Sequence, residues 1–176
     1  MNDAIAQDQL STEVLDFIHS RKSLQLSTIT PEGRPYASYA PFAIGTGNEC
    51  LYVLLSEIAV HAGNLRTTPT ASVLIIQDED SAEELFARVR VNYAVDAEQI
   101  AVDSDAWSEG INTLTERHGE RINSLSKLAD FKLFKLKPTG GRYVKGFARA
   151  YSIVGHSLAG ELLSHMSDGH KKRKVA

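Results

Sequence analysis

The sequence predicts an α+β domain in which short strands form an antiparallel barrel carrying helices. Three observations predict it. Apolar alternation recurs in brief runs along the chain, enough for six or seven short strands. Turn chemistry, as at Pro31-Glu32-Gly33 and Gly140-Gly141, separates strands that would otherwise merge. The long strand–helix–strand units of a dinucleotide-binding parallel sheet are missing.

Taken in order, a polar N-terminus leads into a helix whose start is read at Ser11, with Val14, Leu15, Phe17 and Ile18 as its buried face. Ser23 to Thr30 alternates as a strand, and Pro35 to Ile44 returns it across the Pro-Glu-Gly turn. Leu51 to Leu55 is a third strand. Ser56 opens SEIAVHAGNLRTT, whose Ile58, Val60 and Leu65 spacing predicts a short helix ending before Pro69. Ala71 to Ile76 reads as a buried strand, and Gln77 to Glu84 as an exposed acidic connection. From Phe86 to Val95 the pattern alternates, placing Arg88 and Arg90 on one polar face. Residues 104–128 read as helical with a break near Gly119. Phe131 to Leu136 is a strand before Pro138, Arg142 to Val154 gives one or two more, and a last helix is predicted near Leu158 to Met166.

The chain has 176 residues, 43% apolar and 23% charged, which fits one globular domain spanning 1–176 and argues against disorder. Formal charge is −3, unevenly placed. Residues 171–174, Lys-Lys-Arg-Lys, hold a cluster of positive charge with no acid, leaving a distinctly acidic body. Such a body is a poor nucleic-acid binder, because phosphate binding needs a broad positive surface. The single Cys50 excludes an internal disulfide and any Cys-rich zinc site. No stretch approaches the ~18 apolar residues that span a bilayer, and the polar first fifteen residues read as no signal peptide. A soluble, cytoplasmic protein without membrane partners is expected.

Chemistry-bearing motifs are sparse. None of the six histidines, at 19, 61, 118, 156, 165 and 170, forms an H-E-x-x-H pair. His165 and His170 would diverge by about 140° on a helix, so zinc binding has little support. His170 follows Gly169, where a helix end can expose an imidazole; from spacing alone it reads more readily as a solvated tail residue. No G-x-S-x-G elbow, P-loop or dinucleotide fingerprint is present. Arg88 and Arg90 can clamp phosphate or propionate groups or simply form a polar sheet face. Trp107 reads as core before ligand stacking, and Asp130 as a cap or turn residue. These residues alone support a barrel domain able to take an anionic ligand.

Several segments together resemble the HutZ/HugZ family of bacterial haem-utilisation proteins, itself similar to the flavin-binding split barrels of the pyridoxamine phosphate oxidase type. They are RKSLQLSTITPEGRPYASYAPF at 21–42, SEIAVHAGNL at 56–65, LFARVRVNYA at 85–94, LADFKLFKL at 128–136, YVKGFARAY at 143–151 and HMSDGH at 165–170. The resemblance implies a six-stranded antiparallel split β-barrel with peripheral helices, a homodimer, and haem bound between subunits. It implies that His170, on a C-terminal segment at 167–176, is the iron ligand and that Asp130 of the partner subunit hydrogen-bonds it. Arg90 is then near the haem, supported by Arg88, with Trp107 close by. Gly63 stands where the family pattern has an arginine, and Arg149 where it has a neutral residue.

What the resemblance implies about activity is oxygen-dependent opening of the porphyrin ring with release of iron. Haem is then cofactor and substrate, and an electron donor is a required partner. Two alternatives stand beside it: an FMN-dependent split-barrel oxidoreductase, and a haem storage or delivery protein without turnover.

Overall fold

Alternating burial builds the strands, and helical spacing of apolar residues docks the helices. The computed structural model describes residues 2–166; His170 and the Lys171–Lys174 run lie outside the described residues. Helix α1 (Asn2–Ser20) buries Val14 and Ile18 completely. It starts well before Ser11, whose hydroxyl reaches the Ala159 carbonyl at 3.5 Å instead of capping a helix. Strands β1 (Ser23–Ile29) and β2 (Pro35–Pro41) form the expected hairpin, with Leu24, Leu26 and Thr28 of β1 turned inward. Next come β3 (Ala43–Ile44), β4 (Leu51–Ser56), α2 (Val60–Thr67), β5 (Thr70–Ile76) and β6 (Arg90–Gln99). Helix α3 (Asp105–His118) is capped by Ser104, whose Oγ accepts from the Trp107 amide at 3.1 Å. It stops at Gly119, where φ of 85° favours glycine, and α4 (Arg121–Ser126) follows. The chain continues through β7 (Phe131–Gly146), β8 (Arg149–Val154) and β9 (Leu162–His165).

All nine strands join one antiparallel sheet in the order β2-β1-β5-β6-β7-β4-β3, with β8 and β9 continuing outward from β7. Strand β7 is the hinge of the barrel. Its first half pairs with β4, its second half with β8, and β6 runs along its other edge. The fold is therefore the α+β split barrel that the sequence predicts.

Four expectations are corrected. There are nine strands among the described residues, not six or seven. The separate strands read on either side of Pro138 and Gly140-Gly141 are one strand. Thr139 is the extra residue of a β-bulge opposite Ala94 and Val95, and Pro138 is tolerated at the bulge, where the ladder is interrupted. Gly141 is required because a Cβ there would collide with the Asn92 carbonyl oxygen and the Tyr93 ring. The strand expected from Phe86 begins only at Arg90, since 85–87 is a 3₁₀ turn. The last predicted helix is instead a loop and β9. Gly155 and Gly160 take positive φ, and Leu158 turns inward as a fully buried plug.

Two cores result. One fills the barrel beneath α1, with Phe42, Tyr93, Phe134 and Tyr143 among its largest members. The other lies outside it, where Trp107, Ile111 and Leu114 of α3 pack with Ile122 of α4 on Tyr52 and Leu133. Each buried Leu or Ile contributes about 1.5–3 kcal/mol.

Candidate functional site

The two ends of β7 carry different chemistry. At its start, Asp130 closes the turn after α4. Its backbone carbonyl accepts from the Glu57 amide at 2.7 Å, which locks it beside the end of β4. Ser56 Oγ donates to Asp130 Oδ2 at 2.7 Å and accepts from the Ile58 amide at 3.3 Å. Asp130 Oδ1 has no hydrogen-bond partner among the described residues, and the carboxylate is only half-buried. The nearby cations are taken by Glu57, which pairs with Arg66 at 2.7 Å and Lys132 at 3.7 Å. Asp130 is thus an oriented acceptor without a cationic neighbour in the chain's described part, able to receive an imidazole N–H.

His61 on α2 is close to this rim in the chain. The Ser38 hydroxyl reaches the Leu26 carbonyl at 3.0 Å and shares a 2.9 Å hydrogen bond with His61 Nδ1. Burial holds the His61 pKa below its ordinary value. Burial thus favours the neutral imidazole.

At the other end of the sheet, one register row runs Ile76–Arg90–Val144–Ala150 across β5 to β8. The Met166 amide extends that row by donating to the Ala150 carbonyl at 2.9 Å. The chain toward His170 thus leaves from the end where Arg88 and Arg90 enter. The two arginines do not form a matched clamp. Arg88 precedes β6, and its guanidinium braces the acidic connection: Nε and one terminal nitrogen donate to the Gln77 carbonyl, and the other meets Glu79 at 3.1 Å. Among the described residues Arg90 donates once, to the Arg88 carbonyl at 2.8 Å, which leaves its other N–H groups able to donate elsewhere.

Trp107 is 8% exposed and packed within the second core with Ile122 and Leu133. The structure therefore brings Arg88 and Arg90 to the end where Met166 sits, sets Asp130 at the opposite end of β7, and buries Trp107 in the second core. Ser56 was invisible to sequence reasoning as a partner of Asp130, because no local pattern links positions 74 apart. Among the described residues no group of three His, Cys, Asp or Glu side chains is placed to hold a bare metal ion, and no helix is long and apolar enough to cross a membrane.

The model of the family described as pyridoxamine 5'-phosphate oxidase matches residues 10–145. A protein named "Heme oxygenase HutZ", from Vibrio cholerae serotype O1 (strain ATCC 39315 / El Tor Inaba N16961), is 43% identical over 94% of this chain and 92% of its own length. Among solved structures, HutZ from Vibrio cholerae, there called a heme storage protein, is 44% identical with a TM-score of 0.69, covering 73% of this chain and 89% of that one. Campylobacter jejuni ChuZ is 27% identical with a TM-score of 0.82, covering 94% and 67%. A heme binding protein from Mycobacterium smegmatis is 25% identical with a TM-score of 0.75, covering 85% and 60%.

Proposed function

From the premise that this chain belongs to the HutZ-type branch of the pyridoxamine 5'-phosphate oxidase family, we propose that it is a haem-degrading oxygenase working as a homodimer. The observation that carries the reading is the Asp130 carboxylate, with one oxygen held by Ser56 and the other open. Haem, as substrate, supplies the iron and the oxygen chemistry that opens its own porphyrin ring.

The chain's residues bind, orient and tune. His170 would hold the haem iron through one ring nitrogen. Asp130 of the partner subunit would accept the hydrogen bond of the other ring N–H, fixing the tautomer and making the imidazole a stronger donor. Ser56 keeps that carboxylate from rotating away. Arg90 offers its open N–H groups to a propionate, while Arg88 holds the adjacent loop in place. An external electron donor completes the system, and a reducing cytoplasm suits a chain with a single, buried thiol.

The test is haemin with a reductant under air. Loss of the Soret band with appearance of a bilin-type product is expected, and His170→Ala abolishes both. A Soret band that persists across a range of pH refutes degradation. A storage role is the second reading, favoured by the description of the Vibrio cholerae structure; retention of haem without turnover would select it. An FMN enzyme is disfavoured, because Arg88, half of its phosphate clamp, is committed to Gln77 and Glu79.

A further inference from the structure

Strand β9 delivers the chain toward His170, yet it is only four residues long and among the described residues its one strand neighbour is β8. The Met166–Ala150 bond marks the register at which β9 backbone groups face β8. By antiparallel alternation, the N–H and C=O of Leu163 face the open edge. The Gln7 side chain of α1 occupies that edge. Its two amide heteroatoms lie 3.1 Å from the Leu163 carbonyl oxygen and 2.6 Å from the Leu163 nitrogen, and donor–acceptor matching orients the amide so that its nitrogen donates to that carbonyl and its oxygen accepts from that N–H. One primary amide thus reproduces the two hydrogen bonds that another strand would make. Leu163 itself is buried, so neither backbone group has bulk water as an easy substitute. The same helix grips the end of β7, since Glu13 accepts from Tyr143 at 3.2 Å and pairs with Lys145 at 2.6 Å. Tyr143, Tyr151 and His165 then stand in register across β7, β8 and β9, with ring centroids 6.4 and 5.3 Å apart.

We propose that Gln7 is a positioning residue for the haem ligand: it closes the edge of β9 at Leu163 and so fixes where the chain leaves toward His170. The proposal rests on the haem reading above. It assigns a role in ligation to a helix remote in sequence from the ligand.

The experiment compares full-length wild type with Gln7→Ala, Gln7→Glu, His170→Ala and the control Gln9→Ala, an exposed position on the same helix. Two quantities are measured: amide hydrogen exchange of β9 without haemin, and haemin release to apomyoglobin. Loss of a buried hydrogen-bonding pair predicts exchange at Leu163 and haemin release each faster by about fivefold in Gln7→Ala. Gln7→Glu, which keeps the acceptor but loses the donor, falls between, and Gln9→Ala matches wild type. Faster exchange with wild-type release overturns the proposal and leaves Gln7 a strand brace. Unchanged exchange overturns it as well. If wild type and His170→Ala release haemin equally fast, the haem reading itself falls, and with it the ligand that Gln7 would position.

Discussion

Mixing two inactive variants should restore activity, because the proposed haem site takes His170 from one subunit and Asp130 from the other. Met166 sits on the Arg90–Val144–Ala150 row, at the far end of β7 from Asp130. The strand from Asp130 to Val144 is on the order of 45 Å long at ~3.3 Å per residue. Barrel curvature shortens that path, but the chain from Met166 to His170 reaches at most about 14 Å at ~3.5 Å per residue. The proposed site therefore pairs His170 of one subunit with Asp130 of the other, which the mixture tests directly. His170→Ala and Asp130→Ala are each expected to lack haem turnover. Equal amounts, dissociated and re-associated at random, give about half hybrid dimers in a twofold assembly. Each hybrid carries one site with both His170 and Asp130 intact, so the mixture recovers about a quarter of wild-type activity per subunit. The assay is single-turnover loss of the Soret band, with each variant incubated alone as reference. If the mixture stays as inactive as its parents while size-exclusion shows exchanged dimers, the cross-subunit pairing is wrong.

The other predictions probe smaller pieces of the same scheme. Ser56→Ala and Asp130→Asn should each lower stability by about 1–2 kcal/mol, a charge-assisted bond discounted for half burial; a double-mutant cycle in urea should give a coupling of about 1 kcal/mol, and additivity would deny the bond. Burial holds the His61 pKa below its ordinary 6.5, so the unfolded chain takes up the proton first. Its stabilising contribution is complete above about pH 6.5 and declines as pH falls below that; His61→Gln should flatten this part of the urea-midpoint profile. Alanine should act oppositely at two glycines. Gly141→Ala collides with the Asn92 carbonyl and costs about 2 kcal/mol or more, whereas Gly63→Ala meets nothing within 4 Å in α2 and gains about 0.5–1 kcal/mol. Arg90→Ala should weaken haemin binding by about tenfold, while Arg88→Ala mainly speeds proteolysis of the 77–89 connection.

Local patterns carry those features whose cause is local. The β1–β2 hairpin follows from its Pro-Glu-Gly turn, the end of α2 from Pro69, and the α3–α4 break from Gly119. Strand β7 was misread because Pro138 and paired glycines normally punctuate, and only its neighbours reveal a bulge that absorbs the proline and a close approach that demands Gly141. The alternation around Arg88 is genuine as spacing, but the acidic segment before it offers Glu79 and the Gln77 carbonyl, and these pull its guanidinium out of the strand's geometry. Ser56 with Asp130, and Gln7 with Leu163, are harder still. Each joins a common polar residue to a partner far along the chain, and neither half has a signature of its own. That asymmetry has a physical reason. A fold is specified by many redundant apolar contacts, so a few misread boundaries leave the barrel intact. A site depends on single hydrogen bonds whose partners are chosen by topology. Position 130 shows the consequence: its sequence context yields a turn residue, and only the fold sets Ser56 against its carboxylate and leaves the other oxygen open.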